Sequence, residues 1–272
     1  MNTKKLLLHA AVLATMLTSI SCSQEEVAGG QAGDESVVTF TAQLPGSPQS
    51  KAIGDGMTAT TLSYAVYAQG TTTPLITSED EVTFTNGQAT ISLRLASGRS
   101  YDLLFWADAY DAEDSNAPYT VDFKTQTLTI DYDAAKTLSN DERRDAFFGT
   151  TTIEVKGAVN GNVTLKRPFA QLNIGTDDMK DAANTGLNTD SLRTSVTVKN
   201  VYKNLNLMNG GVGEYVTVTF EENDIPEGQF TANGNTYDYL ALNYLLVGTD
   251  KGVVDCEFTY TDGATNGSKT IS

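Results

Sequence analysis

The chain has 272 residues, 34 acidic against 18 basic, and a formal charge of −16. With 40% hydrophobic and only 19% charged residues, it can bury a core and is not a solvated tail protein. So acidic a surface repels phosphate backbones, which argues against nucleic-acid partners.

Lys4 and Lys5 precede an apolar run from Leu6 to Leu17, broken by His9 and Thr15, and Thr18-Ser19-Ile20-Ser21 leads to Cys22. Residues 1–21 read as a secretory signal peptide, too short to span a bilayer stably. Small residues just before a Cys resemble a lipobox, with Ser19 where the common pattern prefers Leu. The resemblance implies cleavage before Cys22, acylation of that residue by palmitate-type chains, and an outer-membrane lipid anchor. The acidic stub Ser23-Gln24-Glu25-Glu26 resembles a surface-export signal. Residues 22–36 then read as a flexible tether.

Loss of the signal removes His9, the single histidine of the chain. Histidine-based catalysis and imidazole zinc sites are thereby excluded. With Cys22 acylated, Cys256 has no thiol to pair with and reads as a small apolar residue on a strand.

Val37–Ala42 alternates with period two and is the first expected strand. Leu62–Ala68 is the second. Val82-Thr83-Phe84, the turn Asn86-Gly87 and Ala89–Leu95 predict a hairpin. Tyr101–Ala107 is a continuous apolar strand, and Thr127–Tyr132 alternates again. Ser139–Phe148 reads as a short helix or turn. Thr151–Lys156 and Asn162–Lys166 flank a turn. Further strands are expected at Ala170–Gly175, Ser195–Val201, Leu205–Leu207, Val216–Phe220, Tyr237–Val247 and Val253–Tyr260. Tyr64, Trp106 and Tyr239 are expected to pack inward. Short strands at close spacing predict an all-β protein with two antiparallel β-sandwich domains, 37–160 and 161–272. The final residues, Lys269 to Ser272, read as the start of a strand, so the second domain is expected to be truncated.

Val38-Thr39-Phe40-Thr41-Ala42, then Lys51-Ala52-Ile53-Gly54-Asp55-Gly56 leading into Leu62–Tyr67, then Val163–Gly175 with Lys166-Arg167-Pro168-Phe169 at its centre, follow the lipobox in order. Together they resemble the fimbrillin-like surface lipoproteins of Bacteroidales, in a subgroup of unknown function. The resemblance covers the whole chain. It implies transthyretin-like β-sandwiches and a non-enzymatic role as pilus subunit or adhesin. Its partners would be other pilus subunits or a host or bacterial surface ligand. In some members of that family a protease of basic specificity trims the N-terminal segment, and a strand from another subunit fills the groove left by the first strand. Lys51-Ala52 stands where many relatives carry Arg-Ala, so Lys51 and Ala52 are the candidate processing site. The alternative is a glycan-binding surface lipoprotein of a polysaccharide-uptake system, with Tyr and Trp on one face.

Three further motifs carry less. Asp108–Asn116 is rich in oxygen ligands, but lacks the glycine and terminal Glu of an EF-hand loop and reads as a solvated acidic loop. Asn209-Gly210-Gly211-Val212-Gly213 has no following Lys-Ser/Thr and is a plain loop. Asp190-Ser191-Leu192 resembles an O-glycosylation acceptor, which makes Ser191 a candidate modification site. No cofactor and no metal site is expected.

Overall fold

The structure is a computed structural model, and it describes residues 34–46, 53–111, 113–184, 186–247, 255–264 and 266–271. The expected signal peptide, Cys22, most of the tether, Lys51 and Ala52 lie outside the described residues. Strands account for 58% of the described residues and helix for 7%, so the protein is all-β.

In chain order the strands are β1 (Glu35–Gln43), β2 (Thr61–Ala68), β3 (Pro74–Thr77), β4 (Val82–Thr83), β5 (Gln88–Ala96), β6 (Arg99–Asp108), β7 (Tyr119–Asp122), β8 (Thr127–Ile130), β9 (Phe147–Val155), β10 (Val159–Thr164) and β11 (Phe169–Thr176). A six-residue helix, α1 (Met179–Asn184), follows. Then come β12 (Arg193–Asn206), β13 (Val212–Asp224), β14 (Gln229–Ala232), β15 (Asn235–Leu246), β16 (Cys256–Thr261) and β17 (Asn266–Ile271).

These form four sheets. The first has order β10-β1-β5, and the second β3-β2-β6-β9 with β4 also on β2. The third runs β17-β16-β12-β8-β7 with β13 also on β12, and the fourth β11-β15-β14. Every strand pair is antiparallel except β1 with β10, which is parallel.

Three apolar clusters hold the sheets together. The first two sheets enclose Val38, Phe40, Leu62, Val66, Leu93, Leu103, Phe105 and Phe147. The last two enclose Val196, Val198, Val218, Phe220, Leu245 and Phe258. Between them Tyr67, Leu104 and Trp106 meet Leu128, Leu205, Tyr239, Leu242 and Tyr244. The second sheet is therefore covered on both faces. That is why Leu103-Leu104-Phe105-Trp106-Ala107 is an unbroken apolar run, each residue at most 4% exposed, rather than an alternating one. Tyr64 and Tyr239 are also buried, as their strand positions predict.

The structure differs from the sequence expectation at the Asn86-Gly87 turn. Both residues have positive φ, 51° and 74°, as a type I′ turn demands. Yet β4 pairs with β2 while β5 pairs with β1, and only Thr85 and Gln88 bridge across the turn. The turn hands the chain from one sheet to the other instead of closing a hairpin. Ser139–Phe148 is one 3-10 turn at Glu142–Arg144 running directly into β9. The segments expected at 195–201 and 205–207 are one long strand, β12, with bulges that reset its facing.

β7 and β8 fall in the first half of the sequence, but β8 pairs with β12 through Asn204–Asn206. The third sheet is thus built from both halves of the chain.

Candidate functional site

β1 begins as a simple alternation and keeps it in three dimensions. Val38, Phe40, Ala42 and Leu44 are 0–6% exposed, while Val37 is 42% exposed and Thr41 shares a hydroxyl contact with Thr90 at 3.2 Å. The apolar face enters the first core, where the Phe40 and Phe105 ring centroids lie 6.1 Å apart. Burying Val, Phe and Leu side chains there stabilises the fold by roughly 1.5–3 kcal/mol each.

Both edges of β1 are occupied. Nine residues, Glu35–Gln43, pair antiparallel with Ala96–Gln88, and six, Val38–Gln43, pair in parallel with Val159–Thr164. Leu165 N–H donates to the Gln43 carbonyl at 2.8 Å, and Leu44 N–H to the Gly87 carbonyl at 2.9 Å, closing the far end. Within their sheet, β5 and β10 are joined only through β1. Taking β1 out would expose two rows of backbone donors and acceptors, one on each wall of a slot floored by apolar side chains.

One residue that the sequence reading passed over as part of a turn shapes that slot. Gly161 stands opposite Phe40 in the parallel register. A Cβ on Gly161 would lie 2.3 Å from the Phe40 ring, so the ring occupies the space that any other residue would fill. No sequence signal marks it, because Asn160-Gly161 has the composition of an ordinary turn.

The other expected sites are scattered. Ser191 is exposed at the end of a short 3-10 turn, Thr189–Ser191, and its hydroxyl donates to the Asp262 carbonyl at 3.0 Å. The apolar third position of that motif, Leu192, is 4% exposed and is accounted for by packing. In the acidic loop, Asp111 and Asp114 carboxylates accept from the backbone N–H groups of Glu113 and Asn116, so they brace their own turns. Among the described residues no cluster of three or more acidic, His or Cys side chains could hold a metal. Cys256 is a free, buried thiol whose pKa is raised by burial.

Asp108 is the most perturbed acid near the cores. Burial pushes its carboxyl up to about 6, against hydrogen bonds from Tyr110 N–H and the Trp106 indole that favour the ionised form. The indole Nε1 lies 2.5 Å and the Tyr110 amide 2.9 Å from its oxygens. The carboxylate fixes the ring of the only Trp in the chain.

Solved structures include chains similar to this one. A DUF1812 protein of Bacteroides thetaiotaomicron, described as a candidate polysaccharide-binding protein, matches with TM-score 0.50 and 11% identity over 85% of this chain and 78% of its own. A fimbrial assembly protein from Parabacteroides distasonis matches with TM-score 0.44 and 11% identity, over 88% of this chain and 86% of its own. The fimbrial anchor protein Mfa2 of Porphyromonas gingivalis gives TM-score 0.43 and 9% identity, over 84% and 78%. At 11% identity the first of these likenesses concerns the fold alone. No curated protein matches the sequence. A family model of unknown function, DUF6562, matches residues 30–272. The chain therefore belongs to the DUF6562 family.

Proposed function

We propose that this protein is a non-enzymatic cell-surface lipoprotein of the fimbrillin type, anchored through Cys22, that assembles or adheres by exchange of β1. The observation that carries the reading is the position of β1. Among the described residues it is the only strand joining β5 to β10, and its whole apolar face lies in the first core. A strand so placed can be replaced only by another strand with matching alternation, since the slot offers both hydrogen-bond rows and side-chain pockets. Other pilus subunits would supply such a strand. Ser191, at the exposed end of its turn, stays the candidate acceptor of a glycan.

The test is trimming at Lys51. Brief trypsin treatment of the folded protein should cut after Lys51 first. The trimmed form, freed of β1, should melt lower and recover its melting temperature on binding a peptide of residues 35–44. A trimmed form that ignores the peptide and stays monomeric would leave β1 a fixed structural strand. Alkyne fatty-acid labelling that is lost in Cys22→Ala checks the anchor, and equal labelling of the variant would remove it.

A further inference from the structure

Ahead of β2 the chain is held at one backbone unit, Gly54. Gly54 donates its N–H to Glu142 Oε1 at 2.8 Å, and its carbonyl accepts from Arg167 Nη2 at 3.1 Å. Arg167 makes a two-point contact with Asp145, Nε to Oδ1 at 2.5 Å and Nη2 to Oδ2 at 2.6 Å. The Asp145 side chain has no exposed surface. The Arg167 guanidinium also lies 5.7 Å from the Phe147 ring centroid and 5.5 Å from that of Tyr244. Thr58 donates its hydroxyl to the Asp145 carbonyl at 3.3 Å, and Ile53 packs on the middle apolar cluster. Gly54 sits at φ +71°, a conformation that suits glycine and turns its two polar groups toward the two charged side chains.

Such an arrangement is rigid. The fully buried Asp145 carboxylate and the largely buried Arg167 guanidinium hold each other in one geometry, because separating them leaves a buried charge uncompensated. Bonds from charged groups to a backbone are also among the stronger hydrogen bonds. The residues immediately downstream lead into β2, with Ala59 in the first core.

We infer that Glu142, Asp145 and Arg167 form a clamp on Gly54 that sets the downstream limit of the exchangeable segment: β1 leaves, and residues from Ile53 onward stay docked. The inference rests on the strand-exchange reading above and adds where exchange stops. Without the clamp, departure of β1 would propagate, pulling Ile53 from the middle cluster and Ala59 from the first core.

Hydrogen exchange of the full mature chain, read on peptides covering 53–60, β1 and β12, tests this. In the wild type, an excess of the 35–44 peptide should free β1 for exchange while 53–60 keeps its protection. Glu142→Ala should speed exchange over 53–60 by roughly tenfold or more, the scale of losing one charge-assisted bond, with β12 unchanged. Glu142→Met, of similar length without the acceptor, should do the same, and Glu142→Gln, which keeps an acceptor oxygen, should restore protection. Wild-type rates over 53–60 in Glu142→Ala and Glu142→Met would overturn the clamp. So would a wild type in which 53–60 opens together with β1. Should the peptide not displace β1 from the uncut chain, exchange needs the cut at Lys51, and the comparison of the Glu142 variants in the undisturbed protein still decides the clamp.

Discussion

Asp108 and Trp106 form a reporter pair at the residue scale. The carboxyl pKa is raised to about 6 chiefly by burial, and its partner is the one indole of the chain. Between the ordinary carboxylate range and pH 6 the folded state keeps a proton that the unfolded chain has released. This group therefore favours the fold at acid pH, and its contribution is lost as pH rises through 6. Tryptophan fluorescence should titrate with a midpoint near pH 6, and Asp108→Asn should abolish that step and flatten the matching part of the stability curve. A titration that persists in the variant would assign it to another group. Sequence reading placed Trp106 inside and Asp108 at the start of a solvated loop. It could not see that one indole N–H draws the first carboxylate of that loop toward the core, because the contact depends on where β6 ends. Arg144 was equally hidden. It is 2% exposed, its Nη1 donates to the Lys136 carbonyl at 2.5 Å, and its guanidinium lies within 6 Å of the Tyr119, Tyr132 and Phe220 rings. Arg144 and the three rings come from separate stretches of the chain, so no local pattern announces them.

At the scale of the element, β1 was readable and its surroundings were not. Period-two alternation over Val37–Ala42 is a local property, and the structure repeats it residue by residue. The parallel neighbour β10, more than a hundred residues away, follows from how the sheets close and has no signature in the text. The same reason explains the turn at Asn86-Gly87. Its chemistry is local and correct, but the partners of β4 and β5 are chosen by the cores on either side. Phe40→Ala should destabilise the protein by about 3–5 kcal/mol, the range for emptying an aromatic site in a packed core. Gly161→Ala should also be destabilising, because its Cβ would meet the Phe40 ring. The two should not add: in the Phe40→Ala background the Gly161 substitution should cost little. Thermal melts of the three variants check this, and additive losses would mean that ring and glycine are not coupled.

For the molecule as a whole, the middle cluster decides how the halves behave. Tyr67, Leu104 and Trp106 come from the second sheet, while Leu205, Leu242 and Tyr244 come from the last two. β8 reaches across to pair with β12, so the backbone ladder also crosses between the halves. Unfolding should be a single transition by calorimetry. Leu104→Ala should lower it as one unit, by about 2–5 kcal/mol. Two resolved transitions, only one of them moved by the substitution, would show independent halves. The all-β class and the run of short strands were legible from composition and turn spacing. The sharing of strands between halves was not, because β7 and β8 look like any other alternating segments and only pairing tells where they belong.

The parallel pairing of β1 with β10 has a consequence for anything built on it. The slot that β1 fills has two unlike walls, β5 running against it and β10 running with it, and Gly161 notches only one of them. If strands are exchanged as proposed, an incoming strand would be read for direction as well as for sequence. Turned end for end, it would meet each wall with the wrong hydrogen-bond spacing and carry its aromatic ring away from the notch. A peptide of residues 35–44 should stabilise the trimmed protein, and the same residues in reversed order should not; equal stabilisation by both would show that the walls do not discriminate. A chain of subunits linked through such slots would be one-way, with a head that can still receive and a tail that can only give.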